Sequence, residues 1–443
     1  MKTSIKKLLP ERLINGYHLG WAVLANIWYR YPSREITVIA LNGSKGKTTS
    51  ANMIRQILGS DGTKVGLIST ANIVVGEEER LNSYHMTMPG RAIIQKLIRE
   101  MVEQGCKYLI LEVTSEGQVQ YRHWGLDIDY LVYLNLMDER QEAHHFNYNQ
   151  LREDNSRVFR MVSRQNTKKK FQAKFTKLLL LNRDDPEAEY YINQFDHKIK
   201  SFGKDPGYDY WLNDILETRE GLRFEVNQFK YQIPIGGEYN ADNALAAIAL
   251  TSEIGVDQQR IAKVLSGLDQ IPGRFERIEA GQEFGVIVDY AYEQAGIRGL
   301  LKSVNNIKDQ ESEVWVLIGG QGGGRDKKKR PEIGKIAMEN ADKVVITDDD
   351  PYEEEPINII KDIEKGVREV SKAKNKDYFL IQDRREAIAF ALKSAQAKDV
   401  VVIACKGADQ LMMRKGGSVP WDDRQVVREE LAKLDYKRGD KTE

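Results

Sequence analysis

LNGSKGKTT, residues 41–49, is the stretch that decides the fold, because it joins an apolar run to a helical pattern. Gly43 and Gly46 allow the backbone to turn tightly and direct N–H groups at a phosphate. In such a loop Lys47 reaches the β- and γ-phosphates and Thr48 holds Mg²⁺. The alternative is a glycine-rich turn that merely contains a lysine. We expect a nucleotide to be bound by Asn42, Gly43, Ser44, Lys45, Gly46, Lys47, Thr48 and Thr49.

Length and charge exclude several classes of protein. A chain of 443 residues is too long for one core and suits two or three domains. The 66 basic and 66 acidic residues balance, which gives no general attraction to nucleic acid or anionic lipid. Cys106 and Cys405 are predicted to lie inside apolar strands, so we expect no disulfide and a cytoplasmic protein.

The N-terminal segment, residues 1–33, is aromatic and follows a basic stretch. Its apolar part is interrupted by His18 and Asn26 and is too short to span a bilayer. It can pack on a neighbouring domain, the commoner outcome, or make a peripheral membrane contact. The residues concerned are Tyr17, Trp21, Trp28, Tyr29 and Tyr31, with Lys2, Lys6, Lys7 and Arg12 upstream.

Strand-like runs alternate with helical patterns over residues 34–271. The runs are nearly all apolar, which predicts a doubly wound, mainly parallel α/β sheet of the P-loop type. Ligands then bind beyond the carboxyl ends of the strands, where the loop at 41–49 lies. The predicted strands are residues 36–40, 65–69, 108–112, 130–135 and 178–182, with a helix at 92–104.

A second α/β series is predicted over residues 272–443, after a boundary near Ile271. Between about 205 and 235 the period becomes two, which predicts antiparallel strands before a helix at 240–254. The pattern predicts that the C-terminal part is a smaller, Rossmann-like α/β domain. Its predicted strands are residues 286–289, 314–319, 343–347, 378–381 and 400–405.

Polar residues at strand and helix ends add to the nucleotide site. Glu112 ends a strand and can complete a Mg²⁺ shell begun by the loop threonine. Asn240 and Asn243 begin a helix, where they can contact a base or phosphate or simply cap the helix. Arg274 follows a turn and can bridge the domains onto a phosphate as a fork donor, and Asp289 ends a strand that faces the same cleft.

With these motifs in place the chain resembles the Mur ligases, and within them the UDP-N-acetylmuramoyl-tripeptide synthetases of the MurE type. The resemblance runs from Asn42 to Asp423. Beyond the loop it rests on Thr87-Met88-Pro89, Asn135-Leu136, Gly237-Glu238-Tyr239-Asn240, Pro272-Gly273-Arg274, Asp289-Tyr290-Ala291, Gly323-Gly324-Arg325-Asp326-Lys327, Lys406-Gly407 and Asp422-Asp423-Arg424.

The resemblance implies an ATP- and Mg²⁺-dependent ligase of peptidoglycan synthesis. ATP phosphorylates a carboxylate acceptor such as a muramoyl peptide, and the amine of an amino acid attacks the acyl phosphate. The implied catalytic residues are Lys47, Glu112, Arg140 and Asp154, and the implied metal ligands are Thr48 and Glu112. The residues expected to bind substrate are Thr87, Pro89, Thr114, Ser115, Arg122, Arg325, Asp350, Lys406 and Asp409.

One departure from the family concerns the second metal. After the acidic pair at 138–139 the family has a metal-binding histidine, where this chain has Arg140. The family's carbamylated lysine corresponds to Asp154 or Asn155. Two alternatives follow. In the first, Asp154 or Glu153 supplies the missing anion and Arg140 neutralises phosphate, so that ligation survives. In the second, the protein binds ATP but acts as a regulatory or partner subunit.

Two further departures concern the substrates. The family's N-terminal uridine-binding domain is expected to be absent, so a lipid-linked or partner-delivered acceptor is an alternative to a UDP-linked one. Tyr352 replaces an arginine of the diaminopimelate-type pocket, and Asp350 and Asp409 then favour a basic amine such as lysine or ornithine.

Tyr292 replaces a histidine on the adenosine side. A folylpolyglutamate-type ligase on the same scaffold is the nearest alternative enzyme.

Overall fold

In a computed structural model the chain forms two α/β domains, each built on its own sheet. The structure describes residues 11–84, 86–137, 147–166, 168, 177–324, 327–371 and 373–434. Each of the ten strands that the sequence analysis predicts by residue range begins and ends within two residues of an observed strand. No helix among these described ranges is long and apolar enough to cross a membrane.

The first domain contains an eleven-stranded sheet whose middle is parallel. In spatial order the strands run β11-β10-β9-β8-β7-β6-β1-β5-β2-β3-β4, and the pairs at the two ends are antiparallel. The strands are β1 Thr37–Asn42, β2 Val65–Ile68, β3 Asn72–Val75, β4 Glu78–Leu81, β5 Tyr108–Val113, β6 Tyr130–Tyr133, β7 Leu178–Asn182, β8 Lys198–Gly203, β9 Tyr210–Thr218, β10 Gly221–Val226 and β11 Phe229–Ile233.

Helices cover both faces of this sheet, which explains why its central strands are apolar throughout. In β1, Ile39 and Leu41 enter one core cluster while Val38 and Ala40 enter the cluster on the other face. The helices of this part are α1 Glu11–Trp28, α2 Lys47–Gly59, α3 Arg91–Glu103, α4 Ser115–Val119, α5 Tyr148–Ser163, α6 Ala188–Ile192, α7 Tyr239–Ile254 and α8 Gln258–Ser266.

The second domain contains a six-stranded sheet in the order β12-β13-β17-β14-β15-β16, parallel except at β12. A separate hairpin follows it. The strands are β12 Glu276–Arg277, β13 Gly285–Val288, β14 Val314–Ile318, β15 Lys343–Ile346, β16 Tyr378–Leu380, β17 Val400–Ile403 and the hairpin strands β18 Leu411–Arg414 and β19 Gly417–Pro420. The helices are α9 Gln294–Ile307, α10 Lys329–Asn340, α11 Pro356–Val370, α12 Arg384–Ser394 and α13 Asp423–Lys433.

One apolar cluster continues from the first sheet into the second. It includes Leu41 of β1, Leu245 of α7, Ile271 and Phe275 of the connection, and Val316 of β14. The two domains therefore share buried surface, and the carboxyl ends of β1 and β13 face a common cleft. The domain boundary at Ile271 stays a prediction.

The two cysteines are a correction to the sequence analysis. Cys106 lies two residues before β5 and Cys405 two residues after β17, so neither is inside a strand. Both are buried free thiols. Burial raises the pKa of Cys405 to about 12, so this thiol stays protonated at neutral pH. An apolar run alone does not mark the residue at which strand pairing stops.

Candidate functional site

The loop after β1 is held open by two glycines whose backbones other residues could not adopt without strain. Gly46 has φ +85°, and a Cβ there would lie 2.1 Å from Oδ1 of Asn243. Gly43 has φ +144°, and a Cβ there would lie 3.0 Å from the carbonyl oxygen of Asn135. The amide of Lys45 donates to Oδ1 of Asn135 at 2.9 Å. The loop is therefore shaped from two sides before any ligand binds.

Lys47 is the first residue of α2 and folds back over this loop. Its Nζ donates to the carbonyl oxygens of Gly43 at 2.5 Å and Ser44 at 2.9 Å. These acceptors are neutral, so phosphate oxygens can replace them without leaving a buried charge unpaired. The neighbouring Lys45 places its ammonium 4.6 Å from the ring centre of Tyr292 in the second domain.

Arg274 joins the two domains at the phosphate end. Its Nη2 donates to Oγ1 of Thr48 at 3.4 Å, and its guanidinium lies 4.3 Å from the ring centre of Tyr290. The turn that carries it packs tightly, since a Cβ at Gly273 would lie 2.2 Å from the amide nitrogen of Ala408. A fork donor from one domain thus contacts the predicted Mg²⁺ ligand of the other.

Asp289 organises the same turn from within. Its Oδ2 accepts from the amide of Phe275 at 2.6 Å and its Oδ1 from the amide of Ala291 at 2.7 Å. Burial raises the pKa of Asp289, and the nearby Arg274 opposes that shift. Asp289 was predicted to face the cleft and bind nucleotide. Its observed bonds position Arg274 and Tyr290.

Glu112 lies at the end of β5, paired with Leu41 at the end of β1. It is fully buried, and its two oxygens accept from the amide and the hydroxyl of Thr70 at 2.9 and 3.0 Å. The hydroxyls of Thr70 and Thr87 lie 2.9 Å apart. The sequence analysis missed Thr70. The signal that could have found it is the polar pair Ser69-Thr70, which directly follows the apolar strand β2.

The donor set near β1 and β5 suits a hard cation. The hydroxyl of Thr48 and the carboxylate of Glu112 are oxygen ligands of the kind that Mg²⁺ prefers, and a carboxylate oxygen keeps a lone pair beyond one hydrogen bond. These two residues are the ones in the described structure that would hold the metal.

Asn155 and Asp154 have different positions on α5. Asn155 lines the cleft, and its Oδ1 accepts from Nδ2 of the buried Asn42 at 3.2 Å. Asp154 is not among the lining residues and pairs with Arg157 at 2.6 Å and Gln150 at 3.1 Å. Successive helical side chains point about 100° apart, so these two neighbours lie on different sides of α5. Asn42, like Asp154, is buried and is not among the residues that line the cleft, so it supports the loop from within.

Asn240 and Asn243 hold the loop from the side of α7. Nδ2 of Asn240 donates to the carbonyl of Gly236 at 2.6 Å, and Nδ2 of Asn243 donates to Oδ1 of Asn240 at 2.9 Å. The backbone carbonyl of Asn243 accepts from Ser50 at 3.0 Å. The helix cap is Glu238, so capping by Asn240 or Asn243 is excluded as their role.

The opposite wall of the cleft brings together most of the predicted acceptor-binding residues. The cleft has a volume of about 310 Å³. Thr114 caps α4 by accepting from the amide of Gly117 at 3.1 Å. Arg122 donates to the carbonyl of Met88 and, at 2.8 Å, to Gln120, and burial lowers its pKa. Lining residues on this side are Thr70, Thr87, Met88, Thr114, Ser115, Glu116 and Arg122, whereas Pro89 is buried behind them.

The second domain supplies a buried acidic cluster around Lys406. Nζ of this lysine lies 2.9 Å from Asp350, 3.5 Å from Asp349 and 3.7 Å from Asp409. Lys406 is fully buried, whereas Asp350 and Asp409 line the cleft beside Tyr352. Burial raises the pKa of Asp409 to about 7, with Lys406 opposing the shift. Lys406 therefore neutralises the cluster from behind.

Some predicted residues lie outside the described residues. They are Arg140, with the acidic pair at 138–139 before it, and Arg325, so their placement is not part of the site given above. Lys327 is described, and its Nζ pairs with Glu354 at 3.0 Å. Gln321 and Tyr290 line the cleft and were not predicted as site residues, whereas Tyr352 lines it at the position that the amino-acid pocket of the family implies.

Comparison with known proteins agrees with this geometry. The Mur ligase middle domain matches residues 41–251, and the Mur ligase glutamate ligase domain matches residues 273–407. The chain belongs to the Mur ligase family. As predicted, this Mur ligase is therefore an ATP-dependent, ADP-forming amide ligase, and its fold of two α/β domains is confirmed.

This Mur ligase is similar in sequence to the tripeptide synthetases. It is 32% identical to the UDP-N-acetylmuramoyl-L-alanyl-D-glutamate--2,6-diaminopimelate ligase of Caldanaerobacter subterraneus subsp. tengcongensis, over 95% of this chain and 83% of that one. It is 31% identical to the UDP-N-acetylmuramyl-tripeptide synthetase of a Roseiflexus species, over 97% and 85%. A solved diaminopimelate ligase of the first name superposes with TM-score 0.60 at 27% identity, over 90% of this chain and 79% of that one.

Proposed function

We propose that this Mur ligase joins a diamino acid to the carboxylate of a muramoyl-peptide acceptor through an acyl phosphate formed from ATP. The observation that carries the proposal is the contact of Arg274, from the second domain, with Thr48, the residue that follows Lys47 in the nucleotide loop of the first. Charge that spreads over phosphoryl oxygens in the transition state needs such preorganised donors.

Lys47 and Arg274 act on the phosphates in this proposal. Lys47 exchanges its two backbone carbonyls for β- and γ-phosphate oxygens, and the fork of Arg274 follows the transferred phosphoryl group. Thr48 and Glu112 would hold Mg²⁺, which supplies further neutralisation of phosphate charge when it is bound. Thr70 fixes the carboxylate of Glu112 with two hydrogen bonds.

The acceptor is assigned to the wall formed by α4 and the segment before α3. Thr87, Thr114 and Ser115 offer hydroxyl groups there, and Arg122 offers a buried cation to a carboxylate. The relatives named for a muramoyl-alanyl-glutamate substrate support an acceptor of this class. A folylpolyglutamate-type reaction is less supported, because the relatives above 30% identity carry muramoyl-peptide names.

The amino acid is assigned to the end of the cleft in the second domain. Three carboxylates share one lysine there, so a negative charge remains for the side-chain ammonium of a diamino acid. Tyr352, in place of an arginine, offers no cation to a second carboxylate. This favours lysine or ornithine over diaminopimelate, the amino acid in the names of several relatives.

The altered metal position separates an active ligase from an ATP-binding regulatory subunit. Asn155, not Asp154, lines the cleft, and an amide cannot replace an anionic metal ligand in charge. In the active alternative, which we favour, Arg140 neutralises phosphate directly. We also assign the reaction to the cytoplasm, where a free, buried thiol pair such as Cys106 and Cys405 is typical.

The experiment is ADP release from Mg-ATP with UDP-muramoyl-dipeptide and single amino acids, followed by product mass. Addition of one lysine or ornithine supports the proposal, and addition of diaminopimelate corrects the pocket assignment. ATP binding without a product from any amino acid would favour the regulatory alternative. Lys47→Ala serves as the inactive control, and Arg140→Ala tests the direct role of that arginine, since unaffected turnover would remove it from the phosphate site.

A further inference from the structure

Helix α1 carries an apolar face that nothing in the described structure covers. Six of the thirteen large apolar side chains that are exposed among the described residues lie on this one helix. They recur at helical spacing of three or four, with one neighbouring pair, and form one stripe. The exposed members are Leu13, Tyr17, Trp21, Leu24, Ile27 and Trp28, with exposed Gly16 and Gly20 between them.

The other side of α1 is fixed to the protein, so the apolar stripe points outward in a defined direction. Ala22, Ala25 and Asn26 are buried, and Nδ2 of Asn26 donates to the carbonyl of Trp124 at 3.2 Å. Beyond the helix end, Arg99 donates to the carbonyl of Tyr29 at 2.9 and 3.1 Å. The helix is therefore packed on the protein through one face, and the apolar stripe is its other, exposed face.

The charges around the stripe distinguish between two partners that could cover it, a second copy of α1 and an anionic surface. Residues 1–35 contain six basic and two acidic residues, although the whole chain has net charge zero. Arg30 and Arg34 are exposed beyond one helix end, and three lysines precede the other in sequence. A second copy of the helix would bring like charges together in either orientation. An anionic surface instead pairs with both ends.

We propose that α1 docks this enzyme on an anionic lipid surface, with its apolar stripe in the headgroup region. A helix with one apolar face, aromatic side chains and basic flanks binds membranes in this way without crossing them. Trp21 and Trp28 have the amphipathic rings that suit the boundary between water and acyl chains. The inference concerns this surface alone and does not depend on the reaction assigned to the cleft.

Docking would hold one wall of the cleft near the lipid. Arg91 contacts His18 of α1 and donates to the carbonyl of Gln120 at 2.7 and 2.9 Å. Gln120 is the C-terminal cap of α4, whose Ser115 and Glu116 line the acceptor side.

The test is flotation of the full chain with vesicles of phosphatidylcholine, with and without phosphatidylglycerol. Leu24→Glu is compared with Leu216→Glu, because the two leucines are 58% and 56% exposed and Leu216 lies on β9, away from α1. We expect binding to phosphatidylglycerol vesicles that Leu24→Glu lowers by roughly tenfold or more and Leu216→Glu leaves unchanged.

Three outcomes would overturn the proposal. These are no binding of the unaltered protein to phosphatidylglycerol vesicles, equal loss in both variants, or self-association through α1 that Leu24→Glu abolishes while no vesicle binding is seen. Circular dichroism of both variants shows that they fold. Binding is read without ATP or acceptor, so an inactive ligase leaves the result interpretable.

Discussion

Lys47 lines the cleft and Lys406 is buried beside the lining residues Asp350 and Asp409, and the sequence motifs assign both lysines to ligand binding. Lys47 donates to two neutral carbonyl oxygens of its own loop, those of Gly43 and Ser44. Lys406 is fully buried and lies within 3.7 Å of three carboxylates. The comparison teaches that the partners of a lysine, rather than its motif, decide whether it can exchange them for a substrate.

The physical reason is the cost of leaving a charge unpaired. Neutral carbonyls at a partly exposed loop are rehydrated easily when the ammonium moves to phosphate. Buried carboxylates that lose their cation keep a desolvated negative charge, which is strongly unfavourable. We therefore expect Lys47 to govern turnover and Lys406 to govern stability, and the following measurements test that division from the largest effect to the smallest.

Lys47→Ala should lower ADP release by roughly 10³-fold or more, because a preorganised cation at the transferred phosphoryl group is lost. Its free energy of unfolding should change by about 1 kcal/mol, the usual net scale for losing hydrogen bonds to neutral backbone carbonyls such as those of Gly43 and Ser44. Steady-state kinetics and urea unfolding measure the two quantities. Lys198→Ala, at an ion pair with Glu253, is the control. Near-normal turnover of Lys47→Ala would remove this lysine from the phosphate site.

Lys406→Met should lower the free energy of unfolding by about 3–5 kcal/mol, because it leaves Asp349, Asp350 and Asp409 without their buried cation. Urea unfolding at pH 8 measures it. Adding Asp350→Asn to this variant should restore part of the loss, since one of the unpaired charges is then removed. A stable Lys406→Met protein with only a weakened amino-acid affinity would instead assign Lys406 to the substrate.

Arg274→Lys should lower kcat/KM for ATP by roughly 10- to 100-fold, because an ammonium cannot both stack on Tyr290 and reach Thr48 as a fork. Stability should stay close to that of the unaltered protein. Arg277→Lys, three residues along the chain and half-buried, is the matched control. Equal kinetics in the two variants would place Arg274 outside the phosphate contacts.

The pH dependence of amino-acid binding should follow Asp409. Its carboxyl group, with a pKa of about 7, becomes neutral as the pH falls below that value and then attracts an ammonium group less. KM for the diamino acid should therefore rise by up to roughly tenfold per pH unit below 7, while KM for ATP changes little. In Asp409→Asn the KM should be raised and independent of pH over this range. The same steep rise in Asp409→Asn would identify another titrating group.

Much of this protein could be predicted from local pattern. The apolar runs predicted the central strands because both faces of a parallel sheet are covered. The loop at 41–49, together with the motifs between Thr87 and Arg424, predicted the family that the comparisons show. Strand β4 was missed because it is mostly exposed and carries three charges that mask its pattern. Thr70 was missed because its importance depends on Glu112 and Thr87, which lie far from it in sequence.

The sequence by itself determined the α/β order, the nucleotide loop and the ligase family, because these depend on residues that are neighbours along the chain. Only the tertiary structure decided that Asn155 rather than Asp154 lines the cleft, that Asp289 positions Arg274, and that Lys406 is enclosed by carboxylates. Those facts depend on helix rotation, on burial and on contacts between distant segments, and a pattern in one dimension carries none of these quantities.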